Sequence, residues 1–569
     1  MTTNGHTGPN PGGDARVVST AGTRPILRAP PFRGARPRGR PVRVDSPQET
    51  LSPEALAALI AAARVGGSFW GVRPQRSFRT LLRLRSLRDA RGAVDATGGK
   101  AQDILVSLSD RARRLAASPV LPGVETLYGD ADPWALIEQA ELIVAGPDDE
   151  IALLACAHGR TVLDPGTRQP LDRASILARL AERIAAYRYG DPYSGRPIDA
   201  AHWITILGDW RRQVDTNRRI AVAVGIAKWK REAVASLLWS PERVTLSRSI
   251  DPACVSEDKA IAIWPSRSPR DLPARAAQAG RPIARIEDGF IRSIGLGAHL
   301  HPPRSIVVDM DGIHFDPGGP SGLERLLNET DFEEALIRRA ADLLHMITRY
   351  GITKYGAGLL DPLKLPDRPR RVLVPGQVED DLSVRLGGAG IRSNLELLRR
   401  AREAEPDAWI AYKPHPDVVA GLRKGHVLHN DALAHADIVL PDGDMANILS
   451  QVDAVHVLTS LTGFEALTRG CEVVTHGQPF YAGWGLTTDM APPIARRQRR
   501  LTIEQLAAGA LILYPRYLDP VTNLPCPPEV LVWRYATLFG KARPGLLSRL
   551  RMVQGRMAVA GRALGALRA

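Results

Sequence analysis

The chain has 569 residues, with 75 Lys and Arg against 61 Asp and Glu, a formal net charge of +14 and four cysteines. That length carries about two to four domains with self-sufficient cores. Cys156, Cys254, Cys471 and Cys526 lie far apart with no CxxC, which argues against a disulfide framework and a structural zinc site. There is no apolar run of about 18 residues and no signal-peptide core, so a cytoplasmic protein is expected, and the basic balance calls for an anionic partner: nucleic acid, an anionic membrane surface, or acidic sugars and nucleotides.

Residues 1–50 hold eight Arg against Asp14, Asp45 and Glu49 among many Gly and Pro. They read as a disordered basic arm, either a solvated tail or a binding element. An alanine-rich amphipathic helix at Ser52–Arg64 begins the order, and a weakly patterned region follows to about residue 130. From Trp134 to Val162 the pattern is helix, strand (Leu142–Ala145), turn, helix and strand (Thr161–Leu163). A helix over Asp172–Tyr187 leads into YRYGDPYSGRPID, of which YPRYLDPVTNLPC at Tyr514–Cys526 is a near copy.

The copy signals an internal repeat. With Gly159 placed on Gly470, IEQAELIVAGPDDEIALLACAHGRTVL matches LSQVDAVHVLTSLTGFEALTRGCEVV with a one-residue gap. Asp149 and Ile151 then fall opposite Ser460 and Thr462, and Leu154 opposite Glu465. A turn that gains acids and loses hydroxyls does not suit a phosphate. Residues 51–217 therefore read as a truncated, degenerate module.

A linking helix (203–217) precedes a fuller module. Its strands begin with Ile220–Ile226, RVTLSRS, IAIW and PIARIED, and SIVVDMDGIHFD reads as a hairpin with Asp-Gly at the turn. After a helical stretch from Gly322 to Tyr350 come RVLVPG, AWIAYK, IVLP, AVHVL and EVVT. Alternating β and α units with short loops predict parallel sheets covered on both faces, here as two Rossmann-like domains (218–365 and 366–540) facing a cleft at the strands' C-terminal ends. The tail 541–569 has seven Lys or Arg and no acid; it fits either an amphipathic element on an anionic membrane or a solvated basic helix.

Four strand ends converge on that cleft. EDGFIRS brings Glu287, Asp288 and Arg292. QVEDDLS brings Gln377 and three consecutive acids including Asp380 and Asp381, which raise one another's pKa or else complement a helix N-terminus. YKPHPD brings Lys413 and His415, suited to a departing phosphate unless they are incidental surface groups. TSLTGFE brings Ser460, Thr462, Gly463 and Glu465 on a strand, turn and helix start, where free N–H groups suit a phosphate and a carboxylate one turn in suits sugar hydroxyls. The loop GQPFYAGWGLTTD follows; Tyr481 and Trp484 either stack on a sugar or plug the core.

In this order and at these intervals, EDGFIRSIGLG, DMDGIHFD, GQVEDDLS, YKPHPD, TSLTGFEAL and FYAGWGLTTD resemble the capsule polysaccharide β-Kdo transferases of Gram-negative bacteria, strongly over about 220–530 and weakly over 130–217. Members commonly carry two transferase modules; here only the second has the motifs. The resemblance implies a GT-B-like α/β fold and a cytoplasmic enzyme, peripheral on the inner membrane, that uses CMP-Kdo to extend a Kdo-bearing lyso-phospholipid acceptor beside capsule assembly and export proteins. It further implies a retaining double displacement with Asp381 as nucleophile and Asp380 as runner-up. His415 and Lys413 would hold the CMP phosphate, Ser460 and Thr462 would cap it, and Glu465 would take the ribose. Glu287, Asp288, Arg292, Gln377, Tyr481 and Trp484 would line the acceptor and sugar side, with Arg292 on the sugar carboxylate. No metal or other cofactor is expected, because CMP leaves with one phosphate that cations and a helix terminus stabilise.

Competing readings are a polyol-phosphate polymerase, against which the QVEDDLS triad and the FYAGWGLT loop weigh, and a non-catalytic scaffold in capsule assembly. Nucleic-acid binding comes third, because the charge sits mostly in the tails and no motif of that kind occurs.

Overall fold

The computed structural model describes residues 24–84, 90–95, 97–108, 122–292, 301–354, 356–357, 363–440 and 443–538. The expected basic tail 541–569, residues 1–23 of the arm and the segment 293–300 lie outside them. The chain divides into two compact units: Met1–Ala29, Pro41–Tyr189 and Ile198–Leu207 form the first; Pro30–Arg40, Gly190–Pro197 and Gly208–Ala569 form the second.

The first unit holds a five-stranded parallel sheet in the order Glu125–Tyr128, Ile104–Leu108, Thr80–Leu84, Leu142–Val144, Val162–Leu163. Three of these strands lie in the region read as weakly patterned. Leu82, Ile104, Val106, Leu108 and Val144 cluster in the core. Buried strands read as short apolar runs such as TLLRL and ILVSL, without the alternation that marks a half-exposed strand. Part of the described stretch of the arm, around Ile26, Leu27 and Phe32, is packed. Ile26 and Leu27 are buried, and the Leu27 carbonyl accepts from the Trp203 indole at 2.9 Å. In the second unit Phe32 lies edge-on to Trp210 and Trp239.

The second unit contains two sheets. The first runs Thr245–Ser247, Ile220–Val224, Ala260–Ile263, Ile283–Asp288, Ser305–Asp309, Pro515–Leu518, Pro525–Cys526, four parallel strands followed by antiparallel ones. The second is wholly parallel: Ile438–Val439, Trp409–Lys413, Arg371–Pro375, Ala454–Val457, Glu472–Thr475, Thr488–Asp489. Its first strand in sequence is central and the chain winds outward in both directions, the doubly wound Rossmann order. The pair is the GT-B-like architecture that the motifs implied.

Two expectations are corrected. Residues 515–538 do not stay with the second domain, because Pro515–Leu518 pairs with Ser305–Asp309 and so completes the first domain's sheet. DMDGIHFD is no hairpin: the Asp309 carboxylate gathers the N–H groups of Asp311, Gly312 and Gly322, and the Tyr514 hydroxyl donates to it at 2.7 Å. An aspartate that satisfies that many donors ends the strand and winds the chain back on itself.

The repeat is visible in three dimensions. The sheet of the first unit has the order of the parallel sheet of the second, minus its last strand. Arg79 pairs with Glu141 as Arg371 pairs with Asp453. Asp149 and Ser460 cap the equivalent helices Glu150–Ala157 and Leu461–Leu467, whose following turns each need a glycine at positive φ, 81° at Gly159 and 79° at Gly470. The two DP phrases are the same hairpin. Asp191 accepts from Tyr193 and Ser194, Asp519 from Val521 and Thr522.

Candidate functional site

The site is built where the C-terminal ends of the two sheets of the second unit meet. On the first domain's side, Ile283–Asp288 ends in two carboxylates with opposite fates. Asp288 receives Lys230 Nζ at 2.9 and 3.0 Å and Arg292 Nε at 2.7 Å. Burial pushes its pKa up, but the two cations outweigh that and hold it below the ordinary value. Glu287 has no such partner; burial first, then the charge of Asp288, raises it to about 7. Lys230, which stands 3.7 Å from the Trp264 ring centre, was not singled out in the sequence; its place directly after Trp229 in AKWKRE is the only signal that could have found it.

On the second domain's side, Asp381 caps the helix Leu382–Gly387, its carboxylate accepting from the Ser383 amide at 3.0 Å and the Ser383 hydroxyl at 2.9 Å. The N-cap alternative for the acid triad is therefore realised, and it fixes one carboxylate oxygen while the side chain stays about half exposed, at 48%. The charge of Asp381 adds a small upward push on both Glu287 and His415. Asp380 and Asp381 lie 3.3 and 3.8 Å from Arg423. Glu379, the first of the triad, is spent on the Asn394 amide at 2.8 Å.

Trp409–Lys413 ends with Lys413 nearly buried, and the next residues form a tight corner. His415 Nδ1 accepts from the Asp417 amide at 3.1 Å, capping the short helix Pro416–Val419. An accepting Nδ1 assigns the proton to Nε2, and burial, more than any neighbouring charge, holds the imidazole below its ordinary pKa. At neutral pH it is a fixed neutral donor.

The hydroxyl turn follows Ala454–Val457. Ser460 Oγ caps the helix by accepting from the Thr462 amide at 3.2 Å, Thr462 is nearly buried, and Gly463 meets the Tyr481 ring so closely that a Cβ there would stand 2.3 Å from the Tyr481 hydroxyl oxygen. Glu465 is raised by burial and accepts at 2.7 Å from the amide of Lys354, in the connection between the domains.

Several expected sugar contacts are placed elsewhere. Tyr481 and Trp484 are wholly buried, with the Tyr481 hydroxyl donating to the Ser460 carbonyl and the Trp484 indole to Phe480 at 2.9 Å. They are the core plugs of the alternative reading, and they brace the hydroxyl turn from behind. Gln377 is likewise consumed: its amide donates to Thr459 Oγ1 at 3.0 Å and its carbonyl accepts from the Leu458 and Thr459 amides. Arg292 is 2% exposed and held by Asp288, and it donates to the His301 carbonyl at 3.3 Å. Arg497 closes the aromatic loop by donating to the Pro479 and Ala482 carbonyls, and it ties the loop to Glu324 of the first domain at 3.2 Å.

In the first unit the equivalent turn carries acids in place of hydroxyls. Asp148, Asp149 and Glu150 each hold an arginine: Arg179 at 2.5 Å, Arg83 at 3.2 Å and Arg28 at 2.6 Å. Ser107, at the register position of Lys413, accepts from the same Arg83 at 2.9 Å. Three acids and three cations neutralise each other where the second unit has hydroxyls and a lysine.

Residues 259–355 and 340–517 match the family described as capsule polysaccharide biosynthesis protein. LpsZ of Rhizobium meliloti, a lipopolysaccharide-processing protein, is 40% identical over 309 residues, covering 52% of this chain and 70% of that one. The capsule polysaccharide modification protein LipA of Neisseria meningitidis serogroup A is 41% identical over 354 residues, 61% of this chain and 50% of its own. The chain thus spans about half the length of LipA. Among solved structures, the β-Kdo 2,4 and 2,7 transferases of Thermosulfurimonas dismutans KpsC are 34% and 32% identical, with TM-scores of 0.49 and 0.45, each covering 56% of this chain and 98% of the other. The chain belongs to the capsule polysaccharide biosynthesis family. Among the described residues no helix is long and apolar enough to cross a membrane.

Proposed function

We propose that the chain is a retaining β-Kdo transferase that takes Kdo from CMP-Kdo to a Kdo-bearing lipid acceptor in capsule polysaccharide biosynthesis. The observation that supports this reading is that Glu287 ends the strand Ile283–Asp288 of the first domain's sheet, while Asp381 and His415 follow the strands Arg371–Pro375 and Trp409–Lys413 of the second, with the charge of Asp381 felt at both other groups. In the first displacement an Asp381 oxygen attacks the anomeric carbon of Kdo and the bond to the phosphate oxygen breaks, CMP leaving with the electron pair. His415 Nε2–H and the Lys413 ammonium stabilise the phosphate as charge builds on it. In the second, the acceptor hydroxyl attacks the same carbon, its proton passes to ionised Glu287, and Asp381 departs as the carboxylate. Two inversions give retention.

A carboxyl with a pKa of about 7 suits that proton transfer near neutrality. Asp288 is unsuited to it, being neutralised by two cations. In this reading the acceptor approaches from the Glu287 side, and membrane attachment and export partners bring the lipid to it.

The test is a transfer assay with CMP-Kdo generated in situ and a synthetic Kdo-terminated lipid, with products read by mass spectrometry. One added Kdo with the wild type and none with Asp381→Asn is expected. A folded wild type that transfers nothing to several acceptors would overturn the reading in favour of a scaffold.

A further inference from the structure

Between Arg33 and Val44 the arm reads RGARPRGRPVRV, five arginines without an acid. Four of them, Arg33, Arg36, Arg38 and Arg40, lie in the second unit, and all four are exposed, as is Arg196.

A solvated tail would leave the backbone of this stretch to water, yet it is pinned. The Arg33 carbonyl accepts from the Asn523 side-chain amide at 2.9 Å, the Arg36 amide donates to the Thr522 carbonyl at 2.7 Å, and the Arg38 amide donates to the Pro192 carbonyl at 2.9 Å. Gly39 passes so close to Gly190 that a Cβ on Gly39 would stand 2.4 Å from the Gly190 carbonyl carbon. The arm is thus laid across both DP hairpins, Asp191–Arg196 and Asp519–Leu524, which the Tyr193 hydroxyl joins by donating to the Pro525 carbonyl at 2.6 Å.

The guanidinium groups, by contrast, are unused. Among the described residues none of the five ion-pairs with a carboxylate. The two hairpin acids are turned inward, Asp191 onto the Tyr193 and Ser194 amides and Asp519 onto Thr522 and Arg534. A backbone fixed in advance lowers the ordering cost of a ligand that the arginines bind.

Strand register gives the location. Pro515–Leu518 runs beside Ser305–Asp309, which runs beside Ile283–Asp288, and both pairings are antiparallel. Leu518 therefore finishes at the same end of the sheet as Asp288. Its amide donates to the Arg304 carbonyl at 2.8 Å, and the Arg304 amide donates to the Arg292 carbonyl at 2.7 Å. The hairpin beneath Arg33 and Arg36 leaves the sheet at the end that carries Glu287, two strand spacings or about 10 Å away.

We propose that Arg33, Arg36, Arg38, Arg40 and Arg196 form a docking strip for the acidic sugars already on the acceptor, each guanidinium taking a sugar carboxylate. The assignment rests on the Kdo-transfer reading, in which every Kdo of the acceptor carries a carboxylate and the acceptor comes from the Glu287 side. Guanidinium forks match carboxylates in shape. Single exposed pairs are weak, so affinity comes from several acting at once. An anionic bilayer fits less well, because no large apolar side chain is exposed in 30–40 or 190–197 to anchor in it. Nucleic acid also fits less well, because Phe32 and Tyr193 are buried and cannot stack on bases.

The full chain is tested with water-soluble acceptors bearing one or three Kdo residues, and by calorimetric titration with the free trisaccharide in the absence of donor. Arg36→Gln, Arg38→Gln and Arg40→Gln combined keep the backbone contacts, and Tm checks that the fold is intact. The combined variant is expected to raise both the KM of the three-Kdo acceptor and the Kd of the trisaccharide about tenfold, with the rise for the one-Kdo acceptor and for the donor within about twofold. Lysine at the same three positions should recover part of the affinity, and added salt should weaken the wild type more than the glutamine variant. Equal trisaccharide binding by wild type and variant overturns the proposal. So does a loss seen only when the acceptor sits in anionic vesicles, which would assign the strip to the lipid surface. A wild type that binds the trisaccharide through the strip and transfers nothing counts against the transferase reading alone.

Discussion

The Tyr481 hydroxyl donates to the Ser460 carbonyl, and Gly463 lets the ring come that close. Gly463→Ala would force a Cβ to 2.3 Å from the hydroxyl oxygen and 2.8 Å from the ring. Overpacking of this kind costs about 1–3 kcal/mol, and here it displaces the turn expected to hold phosphate. Weaker CMP binding together with a lower Tm is expected, measured by calorimetry. Tyr481→Phe alone should cost about 1 kcal/mol, and combining the two should be less than additive because the hydroxyl is part of the clash.

Glu287, with a pKa of about 7, accepts a proton only above that pH. The pH profile of kcat/KM should therefore fall on the acid side below about 7, and Glu287→Gln should lose roughly 100- to 10,000-fold in rate along with that limb. The stability sign is opposite. A carboxyl raised on folding favours the folded state at low pH, and that contribution is lost as pH rises from the ordinary glutamate value through about 7. Glu287→Gln should consequently stabilise the protein most at pH 8, less at pH 5 and not below about pH 4, by thermal unfolding.

Arg534 and Asp519 form a buried bidentate pair at 2.9 and 3.1 Å, with the Thr522 hydroxyl and two amides completing the carboxylate's shell. Removing Asp519 strands a buried guanidinium, and Asp519→Ala should cost about 3–5 kcal/mol. Arg534→Met leaves the carboxylate its other donors and should cost less. Urea unfolding of both variants checks the order.

In the first unit the turn Asp148–Glu150 carries its own negative charge, already bound by Arg179, Arg83 and Arg28. CMP should therefore bind with a stoichiometry of one per chain, and two by calorimetry would contradict the account. Asp149→Ala should cost about 1 kcal/mol for the lost cap. It should leave CMP affinity unchanged.

Much of the second unit's fold was legible because its signals are local: buried strands as apolar runs, and the helix start at Ser460 as hydroxyls ahead of a periodic stretch. The short helix after His415 and three strands of the first unit were not. The repeat was legible down to the Asp149–Ser460 equivalence. The return of Pro515–Leu518 to the first sheet was not, because strand partnership across about 200 residues leaves no local trace. Within the candidate site, residue type pointed to Asp381, Glu287 and His415 as candidates for chemistry. It could not separate them from Gln377, Tyr481 and Trp484, whose polar atoms are used up inside the fold. That distinction is one of direction, which spacing does not encode.

The crossing of Pro515–Leu518 back to Ser305–Asp309 means that the two Rossmann domains of the second unit are joined by chain in both directions. They cannot be expressed as halves by dividing the gene between them, since the amino-terminal half would lack its last two strands and expose a sheet edge. A protease nick near residue 500 should leave the fragments associated, and separating them should unravel the domain that the nick did not touch. A split version would need the segment 515–538 moved onto the first half, as a circular permutation would do.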